Sequence, residues 1–191
     1  MKALKLKIVR HALAVRTLGV LLALVQSVTL LYGCSAAEKP SAAEISGSLA
    51  APFTADVTVT CRGNEYGASI QKNGDVFNVT MNSPALFKGM EISFERDSAV
   101  VTYNGLTFTL DSSRLPAASA IKALITALGS AAVPDVITVE ADGETGEILL
   151  HGDGFTVCAV EREDSGGFAV RRVEIPDQEL TAIFSEFAPA A

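Results

Sequence analysis

Val101-Thr102-Tyr103-Asn104-Gly105-Leu106-Thr107-Phe108-Thr109-Leu110 reads as two short strands folded back on a two-residue turn. Apolar residues alternate with polar ones on both sides of Asn104-Gly105. A period of two belongs to a strand with one buried face. Asn-Gly between two such runs predicts a hairpin, because both central residues of the tight turn that matches strand twist need positive φ.

The same pattern runs outward in both directions. Upstream, Val57, Val59 and Cys61 alternate with threonines. Tyr66, Ala68 and Ile70 follow, then Phe77, Val79 and Met81, then Met90, Ile92 and Phe94. Turn residues separate these runs: Arg62-Gly63-Asn64, Lys72-Asn73-Gly74-Asp75, Asn82-Ser83-Pro84 and Arg96-Asp97. Six antiparallel strands in a meander are expected, each burying one face.

After Leu115-Pro116 the period changes once. Ile121, Leu124, Ile125 and Leu128 stand at i, i+3, i+4 and i+7, one stripe of a helix. Pro116 suits a first helical turn and Gly129 suits an end, so the helix is expected over Pro116–Leu128. Strand patterning then resumes through Ile137 and Val139, Ile148 and Leu150, Phe155 and Val157, Phe168 and Val170, Val173 and Ile175, and Leu180, Ala182 and Phe184. The reading is α+β: a curved antiparallel sheet, a half-barrel of about 10–11 strands, with one main helix packed on it.

The N-terminus is of another kind. Lys2, Lys5, Lys7, Arg10 and Arg16 form a basic segment without an acidic residue, and Thr17–Leu31 is almost wholly apolar. That apolar run has the length of a signal-peptide core and is short for a span of ~20 residues. It closes on Leu31-Tyr32-Gly33-Cys34, which resembles the lipobox of bacterial lipoproteins, apart from Tyr32 where a small or β-branched residue is usual. The resemblance implies cleavage before Cys34 and a diacylglycerol on its sulfur. The expected organisation is a signal peptide at 1–33, the acylated Cys34 with a flexible tether over 34–52, and one domain over 53–191. An Ala/Ser-rich tether lacks the apolar surface to order itself. The alternative is an uncleaved N-terminal anchor with Cys34 an incidental thiol. Either way the domain is expected on the extracytoplasmic side of the cell membrane.

The leader holds five of the 15 Lys+Arg and none of the 22 Asp+Glu, so its removal takes the formal net charge from −7 to −12. An acidic chain without tryptophan and with scattered basic residues is not built for nucleic acid. Nor would it adhere to anionic lipid by charge. Attachment to the membrane would fall to the lipid on Cys34.

Few residues carry chemistry. His151 is the only histidine after the leader and precedes the turn Gly152-Asp153-Gly154, so a strand-end histidine is expected rather than a catalytic one. Asp142-Gly143-Glu144-Thr145-Gly146-Glu147 clusters carboxylates but lacks the alternating acidic order of a calcium loop, and a solvated hairpin turn is expected. Cys61 and Cys158 lie far apart and make no zinc pattern. They are expected as two reduced, buried thiols. No catalytic residue, metal or cofactor is assigned, and no enzyme is expected.

The run Phe53, Tyr66, Phe77-Asn78-Val79, Pro84, Gly89-Met90-Glu91-Ile92, Tyr103-Asn104-Gly105-Leu106 and Leu115-Pro116, with the tail Ile175-Pro176, Leu180-Thr181-Ala182-Ile183-Phe184 and Phe187, resembles the LolA-like and LprG-like lipoprotein-carrier superfamily. Within it, the chain is similar to small lipoproteins of gut Firmicutes. The resemblance implies a half-barrel capped by helices around an apolar cavity for acyl chains. The chain departs from it in having no tryptophan and one clear helix where carriers have more. A pocket is expected between the helix and the concave sheet face, lined by Ile121, Leu124, Ile125, Leu128, Phe94 and Phe108. The expected function is a membrane-anchored lipoprotein holding a lipid or other apolar ligand. The alternative is a structural or interaction lipoprotein of the envelope whose side chains fill that space.

Overall fold

Alternation and turn chemistry build the first half of the molecule. The computed structural model describes residues 40–95, 98–111, 120–142, 145–163 and 166–190. Strands β1 (Phe53–Cys61), β2 (Asn64–Asn73), β3 (Val76–Ser83), β4 (Glu91–Glu95), β5 (Ser98–Tyr103) and β6 (Leu106–Asp111) form the expected meander. Asn104 and Gly105 take φ of 50° and 77°, and Tyr103 pairs with Leu106 across the turn. Five more strands follow: β7 (Thr138–Ala141), β8 (Ile148–Gly152), β9 (Phe155–Glu161), β10 (Phe168–Ile175) and β11 (Leu180–Pro189).

All eleven join one antiparallel sheet in the order β6-β5-β4-β3-β2-β1-β11-β10-β9-β8-β7. The sheet does not close, so β6 and β7 are its edge strands among the described residues. Its centre is the pairing of the first strand with the last: Val57 faces Phe184, Val59 faces Ala182 and Cys61 faces Leu180. On β1 the inward set Phe53, Ala55, Val57, Val59 and Cys61 is buried while Thr54, Thr58 and Thr60 are exposed. That alternation sorts the sheet into one face for the core and one for water.

Two helices pack on the sheet. Helix α1 (Ala42–Ala50) lies on β10, and α2 (Ala120–Ala131) lies on β8, β9 and β10; the two helices also touch each other. The stripe Ile121, Leu124, Ile125 and Leu128 on α2 is buried as its spacing demands, with Thr126 turned to solvent. Gly129 does not end this helix, which continues to Ala131, itself fully buried. Pro116 lies outside the described residues.

Helix α1 corrects the expectation of a flexible tether up to residue 52 and of a single main helix. The compact unit begins at Pro40. Ser41 caps α1: its hydroxyl accepts from the Glu44 N–H at 3.3 Å, and its own N–H donates to Glu44 Oε2 at 2.8 Å. This reciprocal box satisfies donors that a helix start otherwise leaves open. The backbone N–H and hydroxyl of Ser41 also hold the Glu44 carboxyl below its ordinary pKa. Ile45 and Leu49, one turn apart, are fully buried in the core. Alanine is the strongest helix former, so the Ala-rich composition needs only a cap and an apolar stripe to become a helix. Both are present.

Candidate functional site

Apolar residues of β2, β3 and β4 meet the first turn of α2 around a cavity of about 300 Å³. Tyr66, Met81 and Ile92 rise from the sheet, Phe87 and Met90 come from the β3–β4 connection, and Ala120 and Ile121 come from α2. Cys61, Arg62 and Asn64, at the β1–β2 turn, complete the rim and supply its polar groups. The volume is at the lower limit of small-ligand pockets, ~300–1,000 Å³. Methionine adapts its shape to irregular apolar partners, and two of the walls are methionine.

The β3–β4 connection is held in place by its own bonds. The N–H of Gly89 donates to the Met81 carbonyl at 2.8 Å, and the N–H of Met81 donates to the Met90 carbonyl at 2.9 Å. The Tyr103 hydroxyl donates to the Leu86 carbonyl, joining this connection to β5. The rings of Tyr66 and Phe87 lie with centroids 6.5 Å apart. Among these wall residues, Tyr66, Phe87, Met90 and Ile92 are only half-buried, packed against the core while still reaching solvent.

Of the six residues expected to line a pocket, Ile121 does so. Leu124, Ile125, Leu128 and Phe94 are buried within the core cluster. Phe108 stands 53% exposed on the edge strand β6, away from α2. Cys34 lies outside the described residues. Pattern reading missed Phe87, which follows Pro84 outside any strand. Its signal was its place in an apolar cluster with Leu86 and Met90 between two strands.

On the other side of α2, Lys122, Ala123, Thr126 and Ala127 face Asp153, Gly154, Phe155, Ile175 and Gln178 around a second cavity of about 270 Å³. The thiol of Cys61, which lines the first cavity, donates to the carbonyl of Gln178, which lines the second, at 3.5 Å. Gln178 Oε1 is buried without a hydrogen-bond partner among the described residues.

Lys72 is an unforeseen element of the core. It is 5% exposed on the inward face of β2. Its ammonium donates to the carbonyl of Ala50, the last residue of α1, and lies 5.8 Å from the centroid of the Phe77 ring. A cation at a helix C-terminus meets the negative end of the helix dipole. Burial lowers the Lys72 pKa, with the nearby Asp75 carboxylate acting in the opposite sense.

The two thiols are free and buried, as expected. Cys61 belongs to the core face of β1. Cys158 sits between Val157 and Ala159, both core residues, so it projects from the opposite face of β9. Two strands, β11 and β10, separate β1 from β9. At ~4.8 Å per strand step this puts the two backbones ~14 Å apart, beyond the ~7 Å that a disulfide can span. Burial, and then the Glu147 carboxylate, push the Cys158 thiol up to about 12.

His151 sits near the end of β8, where Nε2 is 3.5 Å from Glu140 Oε2 and Nδ1 is 3.2 Å from Thr156 Oγ1. The His151 and Glu140 side chains are 42% and 72% exposed, so water screens this row of side chains. The acidic segment joins β7 to β8, with Gly143 and Glu144 outside the described residues: the Asp142 N–H donates to the Glu147 carbonyl at 2.8 Å, and Thr145 Oγ1 donates to Asp142 Oδ2 at 2.8 Å. No group of His, Cys, Asp and Glu suited to a metal ion occurs among the described residues. No helix among them is long and apolar enough to cross a membrane.

No protein-family model matches the chain, and no curated protein matches it. Solved structures do. A conserved protein from Thermus thermophilus is similar at 10% identity and a TM-score of 0.47, over 77% of this chain and 83% of that one. A LolA superfamily protein from Nitrosomonas europaea is similar at 11% identity and a TM-score of 0.45, over 78% and 92%. LprF from Mycobacterium bovis is similar at 15% identity and a TM-score of 0.37, over 78% and 92%.

Proposed function

We propose that the chain is an extracytoplasmic lipoprotein, processed after Gly33 and joined to the membrane by a lipid on Cys34, that holds an apolar ligand beside α2. The observation that carries this reading is the cavity itself. Tyr66, Met81, Phe87, Met90, Ile92 and Ile121 surround an open-sided apolar space rather than closing on one another. A ligand with an acyl chain suits such walls, and Arg62 at the rim suits an anionic or polar head. In this reading the sheet curls as a half-barrel about α2. The role is binding rather than catalysis.

A second reading has its own support. Leu124, Ile125, Leu128 and Phe94 are buried together in the core cluster, which suits a structural or interaction lipoprotein without ligand. A fluorescent fatty-acid probe titrated into residues 40–191 separates the two. Saturable binding, lost in Met90→Asp and kept in Thr126→Asp, supports the ligand reading. Absence of binding by a folded domain supports the second. The anchor has a separate test: Cys34→Ala should abolish fatty-acid labelling and leave unprocessed precursor.

A further inference from the structure

Edge strands are ordinarily protected by a charge, a proline or a covering element, because their open backbone groups pair readily with another strand. Among the described residues, strand β6 has none of these along Leu106-Thr107-Phe108-Thr109-Leu110. Every residue of β6 is exposed, with Leu106 at 61%, Phe108 at 53% and Leu110 at 40%. The three apolar side chains share one face. They continue the apolar rows of the core, Leu110 beside buried Ala99 and Phe108 beside Val101.

This stretch reads the same in both directions. We propose that β6 pairs with β6 of a second copy about a two-fold axis through Phe108, extending the sheet across the dimer. An antiparallel pair on a two-fold axis sets residue i against j and j against i. With the axis at Phe108, each Leu106 meets the partner copy's Leu110, each Thr107 meets its Thr109, and the two Phe108 rings meet each other. Like therefore meets like at every position from Leu106 to Leu110. Asp111 falls opposite Gly105, so the one carboxylate of the strand does not face its own copy.

The backbone is in phase for this pairing. Tyr103 and Leu106 close the two-residue turn, and ladder bonds then alternate along β6. Leu106, Phe108 and Leu110 aim their backbone groups at β5, while Thr107 and Thr109 aim theirs at the open edge. The Thr107–Thr109 pairs thus take the hydrogen-bonded positions of the new ladder, and Phe108 takes the closer, non-bonded one. Three side chains and one edge bury well under the ~1,200 Å² of a standard interface. The pair is therefore weak and reversible, and fills when copies are concentrated on a surface.

Cysteine cross-linking of the full chain tests the register. In Phe108→Cys the two new thiols lie across a non-bonded pair, at Cα separations of ~4.5 Å, within disulfide reach. In Thr107→Cys they lie on a diagonal ~7–8 Å apart. Mild oxidation should give covalent dimer from Phe108→Cys at several times the yield from Thr107→Cys or from the unsubstituted chain. Sedimentation over rising protein concentration should show reversible dimer formation that Phe108→Lys, an exposed change, abolishes with an unchanged circular dichroism spectrum. Equal cross-linking at both positions, cross-linking at neither, or a dimer indifferent to Phe108→Lys would each overturn the proposal.

Discussion

The buried hydroxyl of Ser46 donates to the carbonyl of Ala131 at 2.8 Å, tying the middle of α1 to the last residue of α2. The carbonyls of a final helical turn have no partner within their own helix. Here a side chain from 85 residues earlier in the chain supplies one. Helix α1 is thus part of the same packing unit as α2, and not an appendage to it.

Ser46→Ala removes that donor and leaves a buried carbonyl unpaired. The expected loss is ~1–2 kcal/mol. It should appear as a lower urea midpoint with an unchanged slope.

A chain beginning at Pro52 lacks α1 and uncovers the core where Ile45 and Leu49 sit. Each side chain contributes ~1.5–3 kcal/mol on burial, so the expected loss is roughly 3 kcal/mol or more relative to a chain beginning at Pro40. Equal melting temperatures for the two chains would contradict the packing described for α1.

Lys72 gives stability a pH dependence of definite sign. Its folded pKa is lowered by burial, so the unfolded chain binds the proton more tightly. Stability contributed through this group therefore rises with pH between the folded pKa and the ordinary ~10.4, and is level below that window. Lys72→Met should remove this rise while keeping the apolar contact with Phe77. The difference between urea midpoints of the two proteins, measured at intervals through that alkaline range, is the readout.

Cys158 acts in the reverse direction. Its thiol is raised from 9.0 to about 12, so its contribution is complete below pH 9 and is lost as pH climbs toward 12. Cys158→Ala should flatten that decline. In the native protein at pH 8 the thiol should resist alkylation, because the reactive thiolate is scarce; Cys61 and Cys158 should both react once denaturant is added. Rapid native labelling at Cys158 would contradict its burial.

Local features were the legible ones. The turn at Asn104-Gly105, the threonine-spaced strands and the stripe on α2 each declare themselves within a dozen residues. Helix α1 was legible too, in the Ser41–Glu44 box and the Ile45–Leu49 pair, but a reading by composition passes over a nine-residue helix. The junction of β1 with β11 was not legible, because strands at opposite ends of the domain carry no local mark of pairing. The same holds for the site. Whether an apolar side chain lines a space or fills it depends on what distant strands bring to it. Ile121 meets the open side near Tyr66 and Met90, whereas Leu124, one turn further, meets a closed core. The uncovered position of Phe108 follows from β6 ending the sheet, which its alternation alone cannot show.

The central pairing of β1 with β11 sets the order in which the domain can be completed. A chain delivered from its N-terminus presents residues 180–189 last. Until they arrive, β1 has one ladder partner, β10 has one, and the two arms of the sheet share no strand border. Loop closure over more than a hundred residues must precede the contacts that reward it, which makes such topologies slow to form. The central ladder therefore cannot close until residues 180–189 are free to enter it.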